Sequence, residues 1–377
     1  MTTRIARRGA HVALTGIVAG ALLLTGCAAP AASSGDSTAE SKTPAAEPSL
    51  EFTGPNGETP GPLADVVLTA DEEKQIADGD LTAAFIWHTS GDFVAAVEQG
   101  ARQEFERLGV EIVASTQAGF DAATQANNVQ TVMALNPDIV VAIAVDPTSA
   151  ATSFQPIKDA GAKLVIMTTP PAGWKAGTDF VSIVTEDLAK AGRANAEILG
   201  DALDGTGEIG YLSYNANFWF TNQRDESFKA WTAYSYPDIT IVEEQGFAQE
   251  TDTQTIAAAM IAKNPNLKGI YVSWATAAQG VLAAIKASGR TDIQVVTNDL
   301  DTTVAAAMLN GTNVAGMVGN GSIDIGIGLA RAGAYGVLGK TAPALVASDP
   351  TKVSADNLDA GWLADYGVEP PASVTGK

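Results

Sequence analysis

From residue 81 onward, short apolar runs alternate with stretches whose apolar residues recur every three or four positions. The runs 82–87, 139–145 and 163–167 are almost continuously apolar, as strands covered on both faces would be; 110–113 reads as a fourth strand. Between them, 93–108, 122–135 and 154–160 carry helical spacing and are stopped by Gly109, by Asn136-Pro137 and by Gly161. A second series begins near residue 187. Helices 188–203, 223–234, 252–263, 275–287, 302–309 and 323–338 alternate there with strands 208–212, 240–245, 269–272, 294–296 and 314–318. Such alternation predicts parallel sheets with helices on both faces. The strands are too many for one ordinary open sheet, so the expected fold is α/β, with two Rossmann-like lobes.

In sheets of this kind, ligands bind beyond the carboxyl ends of the strands. That rule nominates His88-Thr89, Asp146, the loop 214–224, Trp274, Asn298-Asp299 and Gly319-Asn320. The group is rich in carboxylates, amides and aromatic rings, which suits a polyhydroxylated ligand. Hydroxyls want paired donors and acceptors, and the C–H faces of a sugar want a flat apolar wall.

Ahead of this body, 28–62 is Ala, Ser, Thr, Pro, Gly and Glu without hydrophobic period, and it predicts a flexible stalk. A short helix within 65–79 leads into the body, and 27–80 as a whole is expected to be linker. Further back stand Arg4, Arg7 and Arg8, then a small or aliphatic run over 12–24, closed by Leu24-Thr25-Gly26-Cys27. The run is too short to span a bilayer comfortably and reads as an export signal. Its last four residues resemble the lipobox of bacterial lipoproteins. The resemblance implies that 1–26 is a signal peptide and that Cys27 is acylated. The protein would then stand outside the cytoplasm, in the periplasm or at the cell surface, tethered to the membrane by lipid.

Charge sharpens this picture. The formal net charge is −21, and it becomes −24 once the leader's three arginines are gone. That argues against nucleic acid and against a polybasic grip on anionic lipid, so membrane attachment must come from the lipid. Cys27 is the one cysteine in 377 residues. Stability must therefore come from a large apolar core, for which roughly 300 folded residues are ample.

Several chemistries lack their residues. Without His11 of the leader, His88 is the only histidine, and no Gly-x-Ser-x-Gly elbow, zinc-type Cys/His set or P-loop lysine is present. Gly205-Thr-Gly207-Glu-Ile-Gly210 fits the dinucleotide glycine spacing, but it lies between a helix and the strand that follows, the reverse of the required context. No metal and no cofactor is expected, and the chain is not expected to be an enzyme. Glycoside hydrolysis by paired carboxylates stays open as an alternative.

Several segments together resemble the ribose-type sugar-binding proteins of ABC importers, the periplasmic-binding-protein type I family. They are Gly91-Asp-Phe93-Val-Ala-Ala-Val-Glu-Gln-Gly100, Asn136-Pro-Asp-Ile-Val-Val-Ala-Ile-Ala-Val-Asp146-Pro147, Arg224-Asp-Glu-Ser-Phe228, Asn264-Pro-Asn-Leu-Lys-Gly-Ile-Tyr-Val and Val295-Val-Thr-Asn-Asp299. LacI-type repressors share this fold, but an export leader and acidic stalk occupy the place of their DNA-binding helices.

The resemblance implies a hinge of three chain crossings, near Ile183, between Asp299 and Asn320, and around Ala347. One lobe would comprise 81–183 with 321–347, the other 184–320 with 348–377. It also implies a monomeric receptor that captures a sugar or polyol between its lobes and passes it to ABC permease subunits. The same fold could instead hold a quorum signal, nucleoside or amino acid. The implied ligand contacts are His88, Asp92, Phe93, Asp146, Asn222, Arg224, Trp274, Asp299 and Asn320. Val94, Ser149, Asn222 and Trp274 depart from the ribose pattern and argue against ribose itself. Several candidates have a structural alternative: Phe93 as a core residue, Arg224 as an ion pair, Trp274 as a cap on its sheet, Asp299 as a helix cap in competition with Asp301, and His88 as a wall residue.

Overall fold

The computed structural model describes residues 46–216 and 218–376. The leader and Cys27 fall outside the described residues. In chain order the strands are β1 (Pro60–Pro62), β2 (Thr82–Trp87), β3 (Glu111–Gln117), β4 (Ile139–Ala142), β5 (Lys163–Met167), β6 (Ile183–Glu186) and β7 (Thr206–Tyr214). They continue with β8 (Asp238–Phe247), β9 (Leu267–Val272), β10 (Gln294–Asn298), β11 (Val314–Gly319), β12 (Leu345–Ser348) and β13 (Thr351–Val353). Two sheets result, ordered β1-β12-β6-β5-β4-β2-β3 and β13-β11-β10-β9-β7-β8. Within them β13 lies antiparallel to β11, and the other pairings are parallel. The doubly covered α/β architecture read from the sequence is the one observed.

The central strands explain themselves. All four residues of β4 are buried, as are the last five of β2, because helices cover both faces. One helix pair comes unusually close. A Cβ on Gly100 of the helix Asp92–Arg107 would lie 2.3 Å from the Ile323 carbonyl oxygen. One on Gly326 of the helix Ser322–Leu338 would lie 2.1 Å from that of Val97. Only glycine permits this contact.

The chain passes between the sheets three times. It leaves β6 for the helix Leu188–Ala202, which packs on β10 and β11. It leaves β11 for the helix Ser322–Leu338, which packs on the first sheet, and it leaves β12 directly for β13. These crossings fall at residues 187, 320–321 and 349–350.

Other expectations need correction. The segment 46–80, assigned to a stalk, is folded onto the first lobe. Val66 and Ile76 are buried in that lobe's core, Phe52 is buried at its seam with Trp219 of the second lobe, and β1 pairs with β12. The helix Ala70–Ala77 starts at a capping box in which Thr69 and Glu72 satisfy each other's backbone amides. Single apolar residues spaced ten or more apart carry no period, yet each fits a hole in a core that others have built. The helix expected at 154–160 is present as Gln155–Asp159, and a further helix not read from the sequence, Pro147–Ser153, precedes it. The strands β6, β12 and β13 and the helices Leu358–Tyr366 and Ala372–Thr375 were not read from the sequence. Of the glycine-rich 205–210, only Gly205 precedes β7, and residues 206–210 lie within that strand. Among the described residues no helix is long and apolar enough to cross a membrane.

Candidate functional site

Between the lobes lies a cleft with about 710 Å³ of empty space, its open mouth included. It is built where strands end. The exit of β2 delivers His88 and Thr89, the following helix delivers Asp92 and Phe93, the turn after β3 delivers Phe120, and β5 ends at Met167 and Thr168. From the second lobe come Tyr214 and Arg224, Glu250, Trp274 and Asp299.

Arg224 is the centre of the polar floor. Only 1% exposed, it donates from Nη1 to Glu186 Oε1 at 2.9 Å and from Nη2 to the Ser273 carbonyl at 2.6 Å. Asp299 Oδ1 lies 3.7 Å from the same Nη1 and accepts from Asn320 Nδ2 at 2.6 Å. The Phe220 ring covers the guanidinium at 4.7 Å. Burial pushes the Glu186 and Asp299 carboxyls up, and Arg224 opposes it in both. Asp299 also holds a left-handed backbone with φ 68°, a conformation costly for a residue with a Cβ and tolerated best by Asp and Asn. It sits between β10 and Leu300, where its own N–H reaches the Val318 carbonyl.

The walls are aromatic. Trp274 stands 5.1 Å edge-on to Tyr214, 4.8 Å from Phe247 and 6.2 Å from Phe120, nearly parallel to the last. Its indole N–H donates to Glu250, which also accepts from Thr276 Oγ1. Phe120 reaches across from the first lobe and meets the His88 ring edge-on at 5.1 Å. Burial drives the imidazole down to about 4, so His88 is neutral at ordinary pH.

Three buried polar atoms on this lining have no hydrogen-bond partner among the described residues: His88 Nδ1, Thr168 Oγ1 and Arg224 Nε. Thr168 is β-branched and yet has φ 62°. Orphaned buried donors and acceptors are rare because each costs on the order of 1–3 kcal/mol. All three belong to residues that line the cleft.

Six of the nine expected contacts line the cleft: His88, Asp92, Phe93, Arg224, Trp274 and Asp299. Phe93 serves both readings, packing against the core while facing the cleft. Arg224 likewise is both ion pair and lining residue. Asp301, not Asp299, caps the helix Thr302–Leu309. Asp92 does more than line: its carboxylate accepts from the Thr302 N–H at 3.0 Å, a bond from first lobe to second.

The other three stand elsewhere. Asp146 is exposed and caps the helix Pro147–Ser153 by accepting from the Ser149 N–H. Asn222 faces a separate hollow with Asn56, Trp219 and Pro170. Asn320 is fully buried behind Asp299 and positions it without reaching the lining. Sequence reasoning missed Phe120, Thr168, Glu186 and Glu250. Phe120 follows Gly119 at a strand exit, a signal that could have been used; a carboxylate at the end of a four-residue strand gave none. Among the described residues no group of three His, Cys, Asp or Glu side chains could hold a metal ion.

Comparison with known proteins agrees with this geometry. A xylitol-binding protein of Mycolicibacterium smegmatis is 24% identical over 275 residues, 71% of this chain and 75% of its own. A D-apiose import binding protein of Actinobacillus succinogenes is 24% identical over 239 residues, 63% of this chain and 76% of its own. An ABC transporter solute-binding protein of Agrobacterium vitis, solved with α-D-tagatopyranose, superposes with a TM-score of 0.69 at 21% identity, over 76% of this chain and 98% of that one. The family model described as periplasmic binding protein domain matches residues 83–341. With two mostly parallel sheets, three crossings and this match, the chain belongs to the periplasmic binding protein domain family and has its type I fold.

Proposed function

We propose that the chain captures a small sugar or polyol between its lobes and hands it, unaltered, to the permease of an ABC importer. The observation that carries this reading is a single cleft that gathers His88, Thr168, Arg224 and Asp299 beside the rings of Phe93, Phe120 and Trp274. Hydroxyls of a neutral ligand would pair with those polar side chains, and its C–H faces would lie against the rings. The relatives that bind xylitol and D-apiose support this ligand class.

Closure is the physical output. Moving a two-state hinge from mostly open to mostly closed needs about 5.5 kcal/mol of differential binding. Buried hydrogen bonds to charged groups supply roughly 1.5–3 kcal/mol each, and ring stacking about 0.5–1.5. A polyol touching Arg224 and Asp299 on one side and His88 and Phe93 on the other would supply enough, because only contacts to both lobes favour closing.

In the same reading the receptor works as a monomer outside the cytoplasm, held at the membrane by lipid on Cys27. The test is thermal stabilisation of the purified protein by a panel containing xylitol, D-apiose, D-tagatose and D-allose, repeated with Asp299→Ala. A shift with at least one compound, lost in the variant, is expected. No shift with any sugar or polyol would overturn the reading, and release of product from chromogenic glycosides would replace it by hydrolysis.

A further inference from the structure

The segment 49–58 precedes the family match, which begins at residue 83, and it touches both lobes. Leu50 packs against the second lobe's core beside Leu199, Phe228 and Trp231. Phe52, 4% exposed, brings its ring to 6.1 Å from that of Trp219, at the start of the helix Trp219–Ser235. The Trp219 indole N–H donates to the Thr53 carbonyl at 3.2 Å.

The chain then turns back. Gly54 donates to the Glu58 carbonyl, and Glu58 Oε2 accepts from the Asn56 backbone N–H at 2.9 Å. Within this turn Gly57 has φ 88°, a backbone that favours glycine. From this turn Asn56 Nδ2 donates to the Trp174 carbonyl of the first lobe at 2.9 Å. Two residues after Glu58, β1 joins the first sheet along β12, the strand that leads into the third crossing. Between the two anchor points, Pro55 and Asn56 close a hollow whose other walls are Pro147 and Thr169–Gly173 of the first lobe and Trp219, Asn222 and Gln223 of the second. Thr169 there is the neighbour of cleft residue Thr168, and Asn222 the neighbour of Thr221.

We propose that residues 49–58 are an interlobe strap, which seals one flank of the ligand cleft and must be peeled from the second lobe before the cleft can open. Its hydrophobic end is the part that releases, because the turn and β1 are held to the first lobe by backbone and side-chain hydrogen bonds. The strap raises the closed population of the free protein and slows escape of ligand. The mechanical part of the proposal stands on this geometry; the effect on ligand rests on the binding reading above.

The test uses the full exported chain with Cys27→Ser, spin-labelled through Gln117→Cys and Thr251→Cys, exposed positions on opposite sides of the cleft mouth. Distances are measured in the ligand-free protein with and without Phe52→Ala plus Asn56→Ala. The strap predicts a rise of roughly tenfold in the open-to-closed ratio, and a similar acceleration of xylitol release where xylitol binds. Trp219→Phe, which removes the bond to Thr53 and trims the ring that Phe52 packs on, should raise the ratio two- to threefold without loss of cooperative melting, and it serves if the double variant unfolds. Identical distance distributions in intact and altered strap would overturn the proposal. An altered distribution in a protein that answers no sugar would leave the strap standing and sink the ligand reading.

Discussion

The first lobe offers the cleft the rings of Phe93 and Phe120, Met167, a neutral imidazole, Thr168 and a single carboxylate, Asp92, whereas the second offers Tyr214, Phe220 and Trp274 together with Arg224, Asp299, Glu250 and Asp301. The second wall is ordered by bonds of its own side and the crossings. Glu186 and the Ser273 carbonyl hold Arg224, Asn320 holds Asp299, and Trp274 with Thr276 holds Glu250. The first wall has little comparable polar scaffolding, and its one carboxylate, Asp92, reaches over to the Thr302 amide. The contrast is one of charge: the second wall carries most of the ionised groups and holds them preorganised, and in the reading proposed above it would engage the ligand while the first wall closes over it. Preorganisation lowers the ordering cost at the moment of binding.

The hardest blow to the floor is Arg224→Met. Leaving Glu186 and Asp299 buried without their cation should cost about 3–5 kcal/mol in urea unfolding, with part of it recovered by adding Glu186→Gln. A loss under about 1 kcal/mol would mean the floor is not held this way.

The first wall is probed by pH. His88 has its imidazole depressed to about 4 from 6.5, so its contribution is fully present above pH 6.5 and is lost as pH falls toward 4. The loss amounts to about 3 kcal/mol. Measured as the difference between the wild type and His88→Asn, it separates from Glu186, Asp225 and Asp365, whose raised carboxyls act in the opposite direction. A difference that does not change between pH 7 and pH 4.5 would contradict the neutral imidazole.

Trp274→Ala removes a stacking wall and the partner of Glu250. Ligand affinity measured by calorimetry should fall roughly five- to tenfold, mostly through faster release. Smallest is Asp146→Ala, which deletes a helix cap far from the lining. It should lower stability by about 1 kcal/mol and leave affinity within twofold. A large affinity loss there would return Asp146 to the site.

The parts legible in the sequence were those written as period or composition. Continuous apolar runs such as Val140-Val141-Ala142 announced doubly covered strands, and the strand-exit rule brought His88, Arg224, Trp274 and Asp299 to one place. The rule erred at Asp146 because a side chain at a strand exit can turn to its own helix, and an Asp before Pro147 has an amide within reach. Phe52, Val66 and Ile76 were illegible because isolated apolar residues acquire meaning only from a core made by distant segments. Glu186 was illegible for a related reason. Its partner lies 38 residues further on, and nothing local distinguishes it from a surface acid.

The triple crossing has a consequence for how the molecule is made. The first sheet needs residues 60–62 and 345–348 together, and the second sheet is unfinished until residues 351–353 arrive. Neither lobe can therefore complete its fold while the chain is still emerging, and long-range parallel pairing is slow in any case. A polypeptide with that delay stays incompletely folded for the whole of its synthesis. Reordering the gene so that the second lobe became continuous would shorten the delay, and such a protein should refold faster than the natural one.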